Sequence, residues 1–266
     1  MDYCKIIKND NATFVAFAPA KLNIDLLIGN IDNNGMHEIT STMQAISLHD
    51  TITLSISNSV GINIYGFIVK DNIILKALSM LQKYIGKDLN CSIRIDKSIP
   101  MGAGMGGGSS DAAALLRLAN VAFDLGLDII ELEDIASNIG NDVSFLLHGG
   151  RAKVCGNLKH NIVGIDVPNM HYLIARPNME LSTKIMYKLH DDSGKSFKEL
   201  ASDLCPDTKR LLFDLSKTSP IECGITGKGP TVFAGYNSYK KCIAAMESIN
   251  WFKNEIFIEH AIGKFE

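Results

Sequence analysis

A run of glycines followed by a helix-forming segment constrains this chain more than any other part of its sequence. The run extends from Pro100 to Ser110 and reads PMGAGMGGGSS. Because glycine has no Cβ, such a backbone can turn sharply and bring its N–H groups close to a ligand. Residues 109–111 favour a helix start, and residues 112–116 have high helix propensity. A glycine loop that enters a helix N-terminus is typical of an anion site, so the stretch predicts a phosphate-binding loop.

Three interpretations of this loop compete. A flexible linker is disfavoured, because linkers do not run directly into a strong helix without polar low-complexity flanks. A dinucleotide-binding loop fits the G-x-G-x-x-G spacing of Gly102, Gly104 and Gly107, after a predicted strand at Cys91–Asp96. That fold needs a further strand after the helix, whereas residues 131–139 keep a helical spacing of apolar residues. A nucleoside-triphosphate loop is favoured, and it is not of the Walker type because no lysine follows the glycines.

The composition excludes several other classes of protein. The chain has 266 residues and a formal net charge of −3, so it lacks the basic footprint of a nucleic-acid-binding protein. No apolar run approaches the roughly 18 residues of a membrane span, and the first ten residues do not resemble a secretory signal. Six cysteines without a C-x-x-C pair indicate free thiols in the cytoplasm. We therefore expect a cytoplasmic protein that binds neither nucleic acid nor membrane.

Two segments carry polar residues whose role the local pattern leaves open. In the predicted strand Lys21–Ile28, the polar residues Lys21, Asn23 and Asp25 alternate with apolar ones. They form either a solvated face or the wall of a site, and the pattern alone favours the solvated face. Asp142 precedes an apolar run, where an aspartate is most simply a helix N-cap.

Five segments, taken together and in order, resemble the motifs of the GHMP kinases. They are PAKLNIDLLIG at 19–29, GMHE at 35–38, PMGAGMGGGSSD at 100–111, GNDVSFLLHGG at 140–150 and ITGKGPTVFA at 225–234. The resemblance covers nearly the whole chain. It implies an α+β protein with a two-domain GHMP-kinase-like fold and an active site in the cleft between the domains. An ATP-binding domain would span residues 1–157, and a substrate-binding domain would span residues 158–266.

The resemblance also assigns residues to ATP, to Mg²⁺ and to catalysis. Lys21 would lie beside the transferred phosphoryl group, and Asp142 would take the proton from the attacking hydroxyl. Ser109 would be a ligand of Mg²⁺. The residues that would bind ATP are Lys97, Pro100, Met101, Gly102, Ala103, Gly104, Met105, Gly106, Gly107, Gly108, Ser109 and Ser110.

The long form of the glycine loop resembles the branch of the family that phosphorylates 4-diphosphocytidyl-2-C-methyl-D-erythritol, a cytidine diphosphate-linked methylerythritol on the non-mevalonate route to isoprenoids. The residues that would bind this small-molecule substrate are Asn23, Met36, His37, Thr183 and Tyr187. Met36 stands where the branch usually has a tyrosine, which favours another GHMP kinase, such as one for homoserine or mevalonate. A non-catalytic nucleotide-binding protein is a further alternative.

For three residues, the sequence leaves a simpler interpretation open. His37 is equally well a structural histidine at the start of a strand. Tyr187 is equally well an ordinary residue of an amphipathic helix. Lys228 stands where the family commonly has serine, and it either adds charge to the phosphate site or points to solvent.

Overall fold

The computed structural model describes residues 5–10, 12–31, 35, 37–57, 62–66, 73–156, 162–250 and 256–265. Within these residues, helices and strands form two β-sheets with helices packed against them. The strands are β1 (Ile7–Lys8), β2 (Thr13–Asn23), β3 (Leu27–Ile31), β4 (His37–Ile56), β5 (Ile62–Gly66), β6 (Cys91–Asp96), β7 (Arg151–Cys155), β8 (Ile162–Ile165), β9 (His171–Ala175), β10 (Glu222–Ile225), β11 (Val232–Tyr236) and β12 (Ile256–His260).

Helices fill the segments between these strands. They are α1 (Ile73–Ile85), α2 (Gly107–Ala122), α3 (Ile129–Ser137), α4 (Asn141–His148), α5 (Thr183–Ser193), α6 (Phe197–Leu204), α7 (Pro206–Ser216) and α8 (Tyr239–Ser248). Helix α2 is the centre of the N-terminal half, because its alanine and leucine side chains from 112 to 116 are fully buried. It packs against β2, β4, α1 and α4. Because these side chains are buried in the core, the position of α2 is fixed, and so is the position of the glycine loop that leads into it.

The N-terminal sheet has the order β1-β2-β4-β6-β5, with β3 and β7 paired to the first half of β4 and β8 paired to β7. β5 and β6 are parallel, and α1 connects them, whereas the other described pairs are antiparallel. The C-terminal sheet has the order β10-β11-β9-β12, and helices α5 to α8 pack around it. A separate apolar cluster joins the two halves, with Leu22 and Ile46 from the first sheet packed near Tyr172 and Phe233 from the second.

The two halves are interlocked at the end of the chain. The backbone N–H of Ile262 donates to the carbonyl oxygen of Ala45, and the Phe265 ring packs into the N-terminal core against Gly149. β8 pairs with β7 and so belongs to the N-terminal sheet. The expected division of the chain into two domains between residues 157 and 158 stays a prediction. In the structure, residues 162–165 belong to the N-terminal sheet although they follow that division in sequence.

Two strands differ from their sequence-based prediction. The sequence predicts a strand over residues 13–18 that Pro19 interrupts, but β2 continues to Asn23 with a shift in pairing register between Pro19 and Lys21. The predicted strand Lys21–Ile28 therefore begins within β2 and ends within β3. The sequence also predicts separate strands over residues 37–48 and 51–57, whereas His37–Ile56 forms one strand of 20 residues.

Candidate active site

The glycine loop adopts a backbone that few other residues tolerate. Gly102, Gly104 and Gly106 have φ angles of +67°, +74° and +70°, which lie in the left-handed region. The loop is held in place from two sides. The backbone N–H of Lys21 donates to the carbonyl oxygen of Met105 over 3.0 Å, and the Thr226 hydroxyl donates to the carbonyl oxygen of Gly104, also over 3.0 Å. Residues that are distant in sequence thus fix the loop relative to β2 and to the turn after β10.

Helix α2 begins two residues earlier than the sequence predicted. Its N-cap is Gly106, and the described residues provide no side chain that caps it. Residues 109–111 therefore lie inside the helix and do not start it. The Ser110 hydroxyl is buried and donates to the carbonyl oxygen of Pro19 over 2.6 Å. The N–H groups of the first turn, beginning at Gly107, are left for a ligand, as in other anion sites at helix N-termini.

Two clefts meet at this loop. The isoleucine cleft, with a volume of about 240 Å³, is lined by Ile73, Ile74, Ile95, Lys97, Ile99, Asp111 and the loop residues 100–108. The Lys21 cleft, with a volume of about 260 Å³, is lined by Lys21, Asn23, Leu26, Ile39, Ser41, Met43, Asn141, Asp142, Val154, Thr183, Tyr187, Phe197, Gly227 and Lys228. Gly104 and Gly106 line both clefts. The two clefts therefore adjoin at these two glycines.

Lys97 lies on the wall of the isoleucine cleft between two carboxylates. Its ammonium donates to Asp50 and, over 2.8 Å, to Asp111. Asp50 is fully buried and also accepts the backbone N–H groups of Ser98 and Ile99. Burial opposes the charge on Lys97, but the two carboxylates outweigh burial and raise the pKa of Lys97. Burial raises the pKa of Asp111, against the attraction of Lys97.

Lys21 and Asp142 come together in the Lys21 cleft. The ammonium nitrogen of Lys21 lies 3.4 Å from a carboxylate oxygen of Asp142 and also donates to the side-chain oxygen of Asn23. Lys21 and Asn23 are only 4% and 2% exposed, so this side of β2 is the wall of a site and not a solvated face. The Asn23 amide donates to Ser41 over 2.8 Å, which holds its side chain toward the lysine.

Asp142 is not the N-cap of its helix. Gly140 is the N-cap of α4, and Asp142 is the second residue of that helix. A carboxylate in a first helical turn is stabilised by the helix dipole. The Asp142 side chain is 34% exposed, so it reaches the open cleft, while the buried Lys21 ammonium neutralises part of its charge. This pair can orient a hydroxyl group and accept its proton.

The far wall of the Lys21 cleft is aromatic. The rings of His37 and Tyr187 stack with centroids 5.2 Å apart, and Phe197 meets Tyr187 edge to face. The His37 Nε2 atom lies 2.9 Å from a carboxylate oxygen of Asp191, and Nδ1 lies 3.1 Å from the carbonyl oxygen of Gly29. Burial, followed by the charge of Asp142, raises the pKa of Tyr187. A flat ring that entered the cleft would find stacking partners here.

Comparisons with known proteins show which family the chain resembles over most of its length. Residues 72–150 match the family model for the N-terminal domain of GHMP kinases. The 4-diphosphocytidyl-2-C-methyl-D-erythritol kinase of Neisseria gonorrhoeae (strain NCCP11945) is 33% identical over 246 residues, which are 83% of this chain and 85% of that relative. The kinase of the same name from Thermoanaerobacter sp. (strain X514) is 28% identical over 277 residues, 93% and 96% of the two chains.

The chain belongs to the 4-diphosphocytidyl-2-C-methyl-D-erythritol kinase family of GHMP kinases. Solved structures agree with the fold. A crystal structure of 4-(cytidine 5'-diphospho)-2C-methyl-D-erythritol kinase matches with a TM-score of 0.78 and 22% identity, over 94% of this chain and 99% of that one. Homoserine kinase from Cytophaga hutchinsonii ATCC 33406 matches with a TM-score of 0.71 and 17% identity, over 98% of both chains. The α+β fold of the GHMP kinases, expected from the motifs, is confirmed.

The structure brings together most of the residues that the kinase motifs suggested. Lys97 and residues 100–108 line the isoleucine cleft, whereas Ser109 and Ser110, in the first turn of α2, do not line it. The catalytic candidates and three of the substrate candidates line the Lys21 cleft, and His37 contacts that cleft through Tyr187. Met36 lies outside the described residues. The ligand roles of all these residues remain predictions.

Sequence reasoning missed several residues that build this site. Asp50 and Asp111 hold Lys97, and Thr226 ties the glycine loop to the turn after β10. For Asp50 there was one signal, a charged residue at the centre of a long apolar alternation. The Asp25 carboxylate, to which no role was assigned, accepts both the backbone N–H and the hydroxyl of Thr42 and so joins the end of β2 to β4.

The part of the chain that the structure describes contains no group of three or more His, Cys, Asp or Glu side chains arranged to hold a metal ion. Mg²⁺ in phosphoryl-transfer sites usually takes one or two protein ligands together with substrate phosphates and water, so the residues present fit an ion that arrives with ATP. None of the described helices has the length and apolar character needed to cross a membrane.

Substitution of Gly104 by alanine tests how strictly the loop conformation is required. A Cβ at Gly104 would lie 2.4 Å from the backbone oxygen of Thr226, so that oxygen would have to move by about 1 Å to reach an ordinary 3.4 Å contact. Gly86, after α1, is the matched control, because it has a similar φ of +65° and nothing within 4 Å of its Cβ position. Gly86→Ala is expected to cost about 1–2 kcal/mol for the left-handed backbone alone. Gly104→Ala is expected to cost more in urea unfolding, and equal losses for the two variants would contradict the steric argument.

Proposed function

We propose that this protein transfers the γ-phosphoryl group of ATP to the 2-hydroxyl of 4-diphosphocytidyl-2-C-methyl-D-erythritol, in the non-mevalonate synthesis of isoprenoid precursors. The observation that carries the proposal is the Lys21–Asp142 pair, which lies in a cleft that shares Gly104 and Gly106 with the isoleucine cleft. Family membership makes the protein an ATP-dependent kinase. The acceptor is proposed from the names of the relatives and from the aromatic wall at Tyr187.

In this proposal ATP occupies the isoleucine cleft. The isoleucine side chains pack against the adenine ring, and the N–H groups of the glycine loop and of the first turn of α2 bind the phosphates. Lys97 forms the polar end of that cleft and is held there by Asp50 and Asp111. The γ-phosphoryl group then points across Gly106 toward Lys21. A Cβ at Gly106 would meet the Lys21 side chain at 3.0 Å, so the glycine lets the lysine stem pack directly against the loop.

The acceptor occupies the Lys21 cleft with its hydroxyl at Asp142. The hydroxyl oxygen forms a bond to the γ-phosphorus, and the bond from that phosphorus to the bridging oxygen of ADP breaks. The hydroxyl proton passes to the Asp142 carboxylate and from there to water. Lys21 offsets the negative charge that develops on the transferred group, and the buried Asn23 holds the lysine in place. Since such transition states are loose, alignment contributes more than the basicity of Asp142.

Magnesium would be bound mainly by the ATP phosphates, and the half-buried Ser109 hydroxyl in the first turn of α2 is the protein ligand that the kinase motif suggests. When bound, the ion neutralises phosphate charge during transfer. The cysteines at the described positions are free thiols, which fits a reducing compartment. We therefore place the reaction in the cytoplasm, where ATP is present.

The test is a phosphorus NMR assay of the purified protein with ATP, Mg²⁺ and 4-diphosphocytidyl-2-C-methyl-D-erythritol. A new phosphomonoester signal that grows in proportion to ADP is the expected result. Parallel reactions with homoserine and with mevalonate examine the other members of the superfamily. Protein that binds ATP but phosphorylates only one of these other acceptors would overturn the proposed acceptor and keep the kinase assignment. Protein that binds ATP and phosphorylates none of the three would contradict the proposed reaction.

A further inference from the structure

Lys228 is the residue of the Lys21 cleft that departs from the family pattern, and its position is firmly set. It lies in the turn between β10 and β11, and its ammonium donates to the Thr183 hydroxyl over 2.9 Å. The preceding residues are anchored, because the Thr226 hydroxyl accepts the backbone N–H of Asn23 and donates to the carbonyl oxygen of Gly104. The turn therefore holds the half-buried Lys228 at a fixed place on the wall of the cleft.

Lys228 brings an unbalanced positive charge to the cleft. Lys97 is paired with Asp50 and Asp111, and Lys21 is paired with Asp142. Among the residues that the structure describes, no carboxylate lies within ion-pair distance of Lys228, whose described partner is a neutral hydroxyl. A lysine ammonium has three donors, so at least two are left for a ligand. The Lys228 ammonium can therefore bind an anionic group of a ligand in the cleft.

The position of Thr183 indicates which part of the ligand that is. Thr183 and Tyr187 are four residues apart on α5, so their side chains lie on the same face, roughly 5–6 Å apart at Cβ. Tyr187 contributes to the aromatic wall, whereas the Lys21 ammonium is held at Asp142. The Lys228 ammonium is thus one helical turn from the ring that would stack on a nucleobase. In a nucleoside diphosphate ester, the group next to the nucleoside is the diphosphate.

We propose that Lys228 binds the diphosphate of the acceptor and selects nucleoside diphosphate esters over acceptors without that group. This inference rests on the proposed function, and it adds a residue and a charge that the family motif does not supply. Lys21, held by Asn23 and Asp142, acts on the transferred phosphoryl group, and Lys228 acts on the part of the acceptor that does not react. The two lysines thus have separate ligands in one cleft.

The test compares the binding of cytidine diphosphate with that of cytidine by isothermal titration calorimetry. The wild-type protein is expected to bind the diphosphate more tightly than the nucleoside. Lys228→Ala is expected to reduce this preference by about 10-fold or more, because a hydrogen bond to a charged group is lost. Lys228→Arg should keep most of the preference. Lys184→Ala is the matched control, since this exposed lysine follows Thr183 directly but does not line the cleft.

Each other outcome overturns the inference in a recognisable way. An unchanged preference in Lys228→Ala, with wild-type turnover of the proposed acceptor, would refute the role of Lys228 alone. Equally weaker binding of cytidine and of cytidine diphosphate would show that Lys228 supports the fold or the pocket for the base. A rise in the KM for ATP with no change in that for the acceptor would assign Lys228 to the nucleotide. Wild-type protein that binds ATP but neither cytidine nor cytidine diphosphate would refute the proposed acceptor and this subsite with it.

Discussion

The Asp142→Asn variant is expected to lose about 10²- to 10⁴-fold in kcat, the usual contribution of a positioned general base. Asparagine keeps the size and the place of the side chain in the first turn of α4 but cannot accept the proton of the acceptor hydroxyl. It also leaves the Lys21 ammonium without its carboxylate partner. ATP affinity is expected to stay near the wild-type value, because Asp142 does not line the isoleucine cleft. The measurement is steady-state turnover together with ATP binding by calorimetry.

A matched control separates this catalytic effect from the loss of a charge at a helix start. Asp207 is also an acidic residue in a first helical turn, that of α7, and it is exposed. Asp207→Asn removes the same kind of favourable interaction with a helix dipole but is expected to leave kcat unchanged. Full turnover by Asp142→Asn would refute the assignment of this carboxylate as the proton acceptor. A fall in kcat of similar size in Asp207→Asn would assign the effect to stability.

The Asp50→Ala variant is expected to lower the free energy of unfolding by about 3–5 kcal/mol, the usual cost of removing one partner of a buried ion pair. Asp50 is fully buried, and its carboxylate accepts from the Lys97 ammonium and from the backbone N–H groups of Ser98 and Ile99. Alanine leaves all three donors without this acceptor, and Asp111 alone remains to balance Lys97. Urea unfolding at equilibrium measures the loss.

The control for this variant lies on the neighbouring strand. Asp96 pairs with Arg94 at the surface, where its side chain is 52% exposed, and its backbone is in register with Thr51, the residue after Asp50. Asp96→Ala is expected to cost at most about 1 kcal/mol, because water screens an exposed pair. If the two variants unfold at the same urea concentration with the same slope, then the Asp50–Lys97–Asp111 cluster does not stabilise the fold.

The two sets of effects show how stability and catalysis are divided in this molecule. Lys97 and its two carboxylates join β4, the segment after β6 and α2 next to the isoleucine cleft, so a change there disturbs the wall of the cleft in which ATP would lie. Lys21 and Asp142 line the Lys21 cleft, where a change affects the reaction with less cost to the fold. We therefore expect Asp142→Asn to unfold close to wild type and Asp50→Ala to be the less stable variant.

Much of the local structure followed from residue patterns. The predicted strand Cys91–Asp96 appears with the same bounds, and the helical spacing of apolar residues over 131–139 corresponds to α3 (Ile129–Ser137). In each case the apolar period, or the change from polar to apolar residues, is strong enough to be decided within one segment. The glycine loop belongs with them, because three left-handed φ angles within five residues are a local demand that only glycine meets easily. The order of the five motifs was sufficient to identify the family.

The long strand and the buried charges did not follow from local patterns. β4 appears broken in the sequence because His49 and Asp50 are polar, yet pairing with β2 on one side and with β6 on the other carries the strand through them. The buried Asp50 carboxylate has three hydrogen-bond donors, the Lys97 ammonium and two backbone N–H groups, all from the segment after β6. These donors are 47 to 49 positions from Asp50 in sequence.

What the sequence by itself determined, then, is the family, the phosphate loop and the residue types available for catalysis. Only the tertiary structure decided which of those residues face one another. Lys21 and Asp142 are 121 positions apart, and Thr183 and Lys228 are 45 positions apart, so no local period relates them. The physical reason is that the charge and burial of a side chain depend on what packs against it. In this protein the packing of β2, α4 and the turn after β10 against the glycine loop makes a buried lysine, an open carboxylate and a second, unbalanced lysine into one site.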